Sequence, residues 1–574
     1  MISASYIKNY LYTRRLSTAV IVCAALAAWV VYFPLTNTDI WWHLAAGREM
    51  VRRKAFLYTD TFAYSSSETG WIDVHWFFQL VVYFLHSVGG VALLVWTKIL
   101  AVFVAVIVIS YAQKDKWCRF FTASLMVVLL YHARYLVLMR PILITIMAMV
   151  LYITVLERYS TARNRRVLLW LIPVQLVWTN SQGLFILGPV ILGCYWLGEL
   201  IKTLLGRSDG LQNRGTFGSH VNLTVALLVI VLSTLVNPYG IQGALFPFKL
   251  FERIDPSYAN IYSRNISENI PLMSLEGLDR RYMYVVFAVT AIALIGFVLN
   301  RKKVRWSHVL LTLAFFSLAY MAKRNILLYF VVVAPVLAAN LADIRIAVSR
   351  RNLRKGRVLH LTVSGILMAL IAHSAYSHAR VVGHYPSRTM VSPFRVPRKA
   401  VEFLQKNPAP GALFNTVRYG GYLIWKLYPS REVFIDGRLI IRSAEFFAGY
   451  LAVCSNPEEN FPALARRFAI THVLLPTAVY QQCMPLVKFL YEHEQWKVVY
   501  ADGSSILFRD NGLTDENQVV DLASDEQVSK ILATIDRQWS GDDLIKKQHV
   551  VYLQRLLSYL GLEQQAEKCK KFSR

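Results

Sequence analysis

The chain has 574 residues, 55% of them hydrophobic and 17% charged, with 62 Lys and Arg against 35 Asp and Glu. An apolar share above the usual roughly 45–50% and a charged share below the usual roughly 25% exclude a disordered chain and argue against an ordinary soluble enzyme. The formal charge of +27 would suit nucleic acid, but membrane proteins reach the same balance by concentrating Lys and Arg in cytoplasmic loops.

Apolar stretches recur from Leu16 to Ser377, at 16–35, 89–112, 119–134, 141–157, 167–179, 183–203, 220–236, 282–299, 306–321, 325–342 and 358–377. A crossing of roughly 30 Å of hydrocarbon takes about 20 residues, so about 11 spans are predicted, with 119–134 and 167–179 the short ones. If the N-terminus is cytoplasmic and every stretch crosses, the cytoplasmic segments hold Lys8, Arg14 and Arg15; Lys114, Lys116 and Arg119; Arg158, Arg163, Arg165 and Arg166; Lys202, Arg207 and Arg214; the basic run 301–305; and that at 345–357. Each such segment is basic, as the positive-inside rule requires, and an odd number of spans puts everything after Ser377 outside. Residues 1–377 hold 37 Lys and Arg against 15 Asp and Glu, residues 378–574 hold 25 against 20, so the excess is topological. The first apolar run lacks a small-x-small cleavage site and reads as a signal anchor.

The first outer loop, 37–88, is too long for a connector. Ile40, Leu44, Gly47 and Val51 fall on one helical face. This predicts a helix over 40–54 along the outer membrane surface, with Trp41 and Trp42 suited to the interface. A second interfacial helix is predicted over 74–88, with Phe77, Leu80, Val81, Phe84 and Leu85 apolar and Gln79, Tyr83 and His86 polar. Asp39 opens the first helix. It suits an N-cap, and it equally suits a carboxylate held at the membrane surface as general base or metal ligand. Asp60 is a turn residue or a second such carboxylate, and Asp73 and His75 precede the second helix.

Beyond about His378 the pattern becomes α/β. Strands are predicted at 412–416, 432–435 and 470–475, with a hairpin of 496–500 and 504–508 around Ala501-Asp502-Gly503, and helices at 421–428 and 443–453. We divide the chain into a membrane domain (1–377), an extracytoplasmic α/β domain (378–510) and a helical tail (511–574) that reads as a hairpin of helices. Of the six cysteines, Cys454 and Cys483 share the outer domain. Free apolar thiols are the preferred reading over a disulfide, and no Cys or His metal spacing exists.

Several motifs carry a resemblance: Asp39-Ile-Trp-Trp-His-Leu-Ala-Ala-Gly47, Tyr58-Thr-Asp-Thr-Phe-Ala-Tyr64, Trp71-Ile-Asp-Val-His-Trp76, Gly89-Gly90, Arg140-Pro141, Trp178-Thr-Asn-Ser-Gln-Gly183, Asn237-Pro-Tyr-Gly240, Arg324-Asn325, Gly420-Gly-Tyr-Leu-Ile-Trp425 and Val433-Phe-Ile-Asp-Gly-Arg438. Up to about Asp510 the chain resembles a large group of bacterial multispanning proteins of the GT-C glycosyltransferase type. The resemblance implies an α-helical polytopic protein of the bacterial cytoplasmic (inner) membrane with interfacial helices in its first outer loop. It implies a polyprenyl-phosphate- or diphosphate-linked sugar donor reached from the membrane lipid, and a glycan, lipid or protein acceptor outside; no nucleic acid is expected. An acidic residue of the first outer loop then acts as base or helps hold a divalent metal, Mg or Mn. Asp39 matches that position and Asp60 is the second catalytic candidate. His43, Asp73, His75, Arg140, Gln182 and Arg324 are candidate substrate-binding residues, and Asp39 and Glu268 candidate metal ligands. The chain departs from relatives at Asn180-Ser-Gln-Gly183, where Asn-x-His-Gly is frequent, and at Glu268-Asn269, where Glu-Trp is frequent.

Transfer from a lipid phosphate needs a base for the acceptor and positive charge for the departing phosphate. Arg140, Lys323 and Arg324 near outer span ends are candidates for that charge, with snorkelling as the plain alternative. Lys98 lies inside a span, where a charge is costly and functional by default; pairing with Glu199 or snorkelling would also account for it. Asp436-Gly437-Arg438 reads as a tight turn with an Asp–Arg pair, and 419–425 suits carbohydrate stacking or a core helix. The competing reading is a non-catalytic scaffold or lipid-binding protein of envelope polysaccharide assembly. A transporter ranks last, for want of inverted repeats.

Overall fold

A computed structural model describes residues 4–67, 69–205, 213–252, 261–385, 390–478 and 481–573; of the basic residues assigned above, Arg207 lies outside them. Every apolar stretch is helical over most of its length, the first of them only as far as Trp29. Among the described residues six helices are long and apolar enough to cross a membrane: Trp76–Tyr111, Ile142–Ala162, Gly183–Leu204, Gly277–Leu299, Lys323–Arg351 and Leu353–Val382. Arg15–Trp29, Gly218–Ser233 and Trp306–Met321 are shorter apolar helices. The stretch 119–134 falls in Lys116–Ala133. The stretch 167–179 is a 3-10 turn, Arg165–Trp170, continued by Leu171–Thr179, whose nine α-helical residues rise only about 14 Å.

The chain separates into two compact units: Met1–Tyr32, Val74–Phe78 and Leu93–Gly383 form the first, and Phe33–Asp73, Gln79–Ala92 and His384–Arg574 the second. The segment 37–88 thus belongs mostly with the C-terminal part. The helix Trp76–Tyr111 contributes to both and is broken at Gly89–Gly90, where Gly90 takes the left-handed φ of +60° open to glycine.

In the first unit, Lys323–Arg351 is the central element. Of its most apolar window 94% is buried, against Lys116–Ala133, Arg280–Leu299, Trp306–Met321 and Leu353–Val382. Lipid supplies no hydrophobic drive between helices, so close packing and polar pairs hold them. Tyr152 Oη donates to Gln175 Oε1 at 2.6 Å and Trp178 Nε1 to Thr145 Oγ1 at 3.0 Å. Glu157 accepts from Tyr195 at 2.8 Å and Arg305 at 2.9 Å. Glu199, one of the alternatives raised for Lys98, accepts from Arg163 at 3.0 Å; Arg163 reaches it from the left-handed C-cap of Ile142–Ala162. Lys98 itself is fully buried.

The second unit is built on a four-stranded sheet of order β1-β2-β4-β3, with β1 Ala412–Asn415, β2 Ile470–Pro476, β3 Trp496–Ala501 and β4 Ser505–Asp510. β1 runs parallel to β2, and the other pairs are antiparallel. The hairpin forms because Asp502 Oδ1 accepts from the backbone N–H groups of Ser504 and Ser505 at 2.7 and 2.8 Å. The strand expected at 432–435 is a single parallel bridge of Val433 to Ala63. Its backbone bonds go to a side chain instead of a ladder: Phe434 N donates to Asn415 Oδ1 at 2.8 Å, and Asn415 Nδ2 to the Ile435 carbonyl at 2.7 Å. The tail forms three helices, Asp525–Gln538, Asp543–Tyr559 and Glu563–Phe572. Gly541 and Gly561, both at positive φ, turn the chain between them.

Candidate functional site

Asp39 is at the N-cap of Ile40–Arg53, yet its own φ and ψ are helical and its side chain makes no capping bond. Its backbone N–H instead donates to Asn37 Oδ1 at 3.0 Å. The helix does not lie along a surface by one face. Its first two turns are buried all round, and only the far end, including Val51, is exposed. Trp41 and Trp42, expected at a lipid interface, are core residues 4% and 6% exposed. Trp41 meets Tyr422 edge-on at 5.1 Å, and Trp42 packs on His43 at 3.6 Å and Trp71 at 6.2 Å.

Glycines make this burial attainable. A Cβ at Gly421 would lie 2.8 Å from the Thr38 carbonyl, and one at Gly420 would overlap the Ile435 carbonyl and Asp436. The helix Val417–Leu427 therefore approaches both the start of Ile40–Arg53 and the turn at Asp436–Arg438. That turn lies against Asp39: a Cβ at Gly437 would sit 2.4 Å from Asp39 Oδ1 and 3.3 Å from Trp42 Nε1. Gly47, the last residue of the Asp39 motif, lies against the Gln79 carbonyl in the same way. The aromatics at 419–425 are occupied with packing. Tyr419 is buried and donates to the Ser504 carbonyl at 2.8 Å, while Arg48 stacks on Trp425 at 4.5 Å and donates to its carbonyl.

Asp60 has a different setting. It is fully buried, and Arg438 Nη2 meets its Oδ1 at 2.8 Å while Arg442 Nη2 lies 3.6 Å from Oδ2. It also accepts from Ser66 Oγ at 2.6 Å and Phe62 N at 3.0 Å. Arg438 simultaneously donates to both oxygens of Asp436, at 2.8 and 2.7 Å, and lies over the Trp71 ring at 4.7 Å. Burial pushes the Asp436 carboxyl up, but the charge and hydrogen bonds of Arg438, with Arg442 behind it, hold it below the usual carboxylate range. Asp73 is buried and accepts from Gln79 Nε2 at 2.8 Å. Of these carboxylates Asp39 alone is partly exposed.

The first unit gathers the remaining candidates in two places. Trp178–Gly183 binds the short segment 74–78. His75 Nε2 lies 3.2 Å from Gln182 Oε1, Trp76 Nε1 donates to Asn180 Oδ1 at 2.9 Å, and Phe77 N to the Asn180 carbonyl at 3.1 Å. Elsewhere, Arg140 grips Glu268 at 2.5 Å, and the backbone N–H groups of Lys323 and Arg324 donate to the carbonyls of Ile270 and Glu268 at 3.0 Å each. Lys323 pairs with Asp279 and lies over Tyr282 at 5.6 Å. Arg281 lies over the same ring at 5.2 Å and over Tyr135 at 6.0 Å, and Arg134 over Tyr135 at 4.6 Å and Tyr131 at 4.2 Å. The result is a run of cations, Arg134, Arg281, Lys323, Arg324 and Arg140, laced with tyrosines and balanced by Asp279 and Glu268. Burial would raise the Glu268 carboxyl, but Arg140, then Arg324 and Lys323, hold it low.

Sequence reasoning missed Arg442, Arg134 and Arg281. Two arginines four apart after an Asp-Gly turn were the available signal for Arg442, and the basic–aromatic run Tyr131-His-Ala-Arg-Tyr135 for Arg134.

The architecture, apolar helices joined to a small C-terminal mixed sheet, is that of the GT-C fold. An archaeal oligosaccharyltransferase, AglB from Archaeoglobus fulgidus, solved in complex with an inhibitory peptide and a dolichol-phosphate, superposes with a TM-score of 0.57 at 12% identity, over 97% of this chain and 87% of that one. The Archaeoglobus fulgidus enzyme tethered to an acceptor peptide containing the NVT sequon gives 0.54 at 13% identity, over 86% and 74%. Its complex with Zn and sulfate gives 0.50 at 13% identity, over 86% and 73%. No protein-family model matches the chain, and no curated protein matches it.

Proposed function

We propose that the protein is a membrane glycosyltransferase that moves a sugar from a polyprenyl-phosphate-linked donor to an extracytoplasmic acceptor, with Asp39 as general base. Asp39 carries this reading: it is a carboxylate at a helix start whose side chain makes no capping bond and keeps part of its surface open, whereas Asp60, Asp73 and Asp436 are fully buried. The fold supports it, since AglB was solved with a dolichol-phosphate and an Archaeoglobus fulgidus oligosaccharyltransferase with a tethered acceptor peptide.

In this reading Asp39 takes the proton of the acceptor nucleophile as that atom attacks the anomeric carbon. The bond from that carbon to the phosphate oxygen breaks, and the lipid phosphate leaves with the electron pair. Within the first unit, Arg140, Arg324, Arg134 and Arg281 form a run of cations suited to binding a lipid phosphate. Asp60, paired with Arg438 and Arg442, contributes stability to the buried cluster and is not a second base. His75 and Gln182 orient the segment 74–78. His43, packed under Trp42, serves the helix that carries Asp39.

A divalent Mg or Mn ion would depend on Asp39 and the donor's own phosphates: among the described residues no group of three His, Cys, Asp or Glu side chains could hold one, and Glu268 is matched to Arg140. No step is therefore routed through a metal. We place the protein in the bacterial cytoplasmic membrane with residues 33–73 and the C-terminal domain outside.

The test is transfer from polyprenyl-phosphate sugars by the purified protein in liposomes. Asp39→Asn, with its unfolding temperature unchanged, is expected to lose on the order of 100-fold or more in turnover. Full activity in that variant would overturn the assignment.

A further inference from the structure

We propose that Cys454 and Cys483 are joined by a disulfide in the mature protein, an inference that rests on the extracytoplasmic placement of the C-terminal domain. Their Sγ atoms lie 2.9 Å apart. That separation is far shorter than two unbonded sulfurs prefer and within easy reach of a bond of about 2.05 Å. Both thiols are essentially inaccessible, at 0% and 1% exposed. Cys454 stands in the last turn of Ala444–Ser455, and Cys483 closes the 3-10 turn that leads into Met484–Glu492. The two helices pack on each other, so the bond needs no rearrangement of the backbone.

The other cysteines offer no such partner. Cys23 meets Ser124 Oγ and Cys118 the Ala338 carbonyl, each at 3.7 Å. Cys194 lies in an apolar helix, and Cys569 is buried in the tail. One close pair in the domain placed outside, with the other thiols apart, is the distribution expected where disulfides persist only on the oxidising side of a membrane.

The chemistry is thiol–disulfide exchange with the disulfide of an extracytoplasmic thiol oxidase. The thiolate of one cysteine attacks an oxidase sulfur, forming a mixed disulfide and releasing the other oxidase sulfur as a thiolate. The second cysteine, losing its proton, attacks its partner's sulfur in the mixed disulfide and releases the remaining oxidase thiolate. Two protein thiols are oxidised, one oxidase disulfide is reduced to a dithiol, and the two protons end on the oxidase. Because both sulfurs are buried in the folded domain, exchange takes place before the helices close over them. The product staples Ala444–Ser455 to the turn that leads into Met484–Glu492.

The test uses the full chain, acid-trapped from cells and alkylated with N-ethylmaleimide under denaturing conditions. A Cys454–Cys483 linked peptide in the mass spectrum is expected, with two further alkylated cysteines per chain appearing only after reduction. Complete alkylation of both without reduction overturns the disulfide. Cys454→Ser should expose Cys483 to alkylation directly, which checks the pairing without requiring loss of fold. A separate reporter, Glu526→Cys at a position 77% exposed, is labelled with a membrane-impermeant maleimide in intact spheroplasts. Free thiols with a labelled reporter overturn the disulfide and leave the placement standing. Free thiols with an unlabelled reporter overturn both. A linked pair supports the disulfide whichever way the reporter falls.

Discussion

The backbone of Gly437 lies against the carboxylate of Asp39, with room between them for hydrogen and nothing larger: a Cβ there would stand 2.4 Å from Oδ1. Gly437→Ala must therefore push the carboxylate aside or open the turn. A displacement near 1 Å is worth about 100-fold in a reaction that depends on alignment. We expect turnover to fall by at least tenfold in Gly437→Ala. In the double variant with Asp39→Asn the glycine change should cost nothing more, because the group it moves is already disabled. Steady-state transfer rates of the four proteins check this.

Asp60 should matter for stability and not for the chemical step. Asp60→Asn leaves Arg438 and Arg442 with one carboxylate, Asp436, where they had two. Breaking a buried pair by removing one partner typically costs about 3–5 kcal/mol. The expected result is a marked drop in denaturant midpoint, with turnover per folded molecule close to that of the parent. Loss of turnover at full stability would restore Asp60 as a catalytic candidate.

The cation run in the first unit predicts opposite effects from neighbouring residues. Arg324→Gln should raise the KM for the lipid donor about tenfold with little change in kcat, as expected when charge binds ground and transition states alike. Glu268→Gln removes a countercharge held among Arg140, Arg324 and Lys323. It should tighten binding of an anionic lipid a few fold, an effect that shrinks as salt is added. Lipid binding measured by quenching in nanodiscs would distinguish the two signs.

The sheet should weaken in acid. His472 is fully buried in β2, beside Arg509 on β4 and near Arg431. Burial, then those two charges, push its imidazole down to about 3, whereas an unfolded histidine titrates near 6.5. The unfolded chain therefore takes up a proton first. The stability this residue contributes is full above about pH 6.5 and drains away as pH falls toward 3. Between pH 7 and pH 5 the loss is about 2 kcal/mol. Denaturant midpoints of the parent should fall across that range, and His472→Gln should flatten the slope even if it lowers the whole curve.

Much of this was legible in the residues themselves. The helices of the first unit follow from runs of apolar sequence, the β3–β4 hairpin from Ala501-Asp502-Gly503, and the Asp436–Arg438 turn from three adjacent residues. What could not be read was long-range pairing. Trp41 and Trp42 look like interfacial anchors until Gly420 and Gly421 bring another helix over them. Asp60 looks like a spare carboxylate until Arg438 and Arg442 arrive. The edge at 432–435 looks like a strand, but its partners are Phe62, Tyr64 and Ser65 of the first loop and the side chain of Asn415, none of which periodicity can reveal.

Ser65 and Arg442, hydrogen-bonded in the folded protein, are 377 positions apart in the chain. At about 5–20 residues per second of synthesis, the first emerges roughly 20–75 s before the second exists. For that interval the loop that carries Asp39 has neither the arginines for Asp60 nor the glycine-faced helix for its tryptophans. Until then it is a fragment without its native contacts, and a ribosome stall before Arg438 leaves it with no partner to fold against.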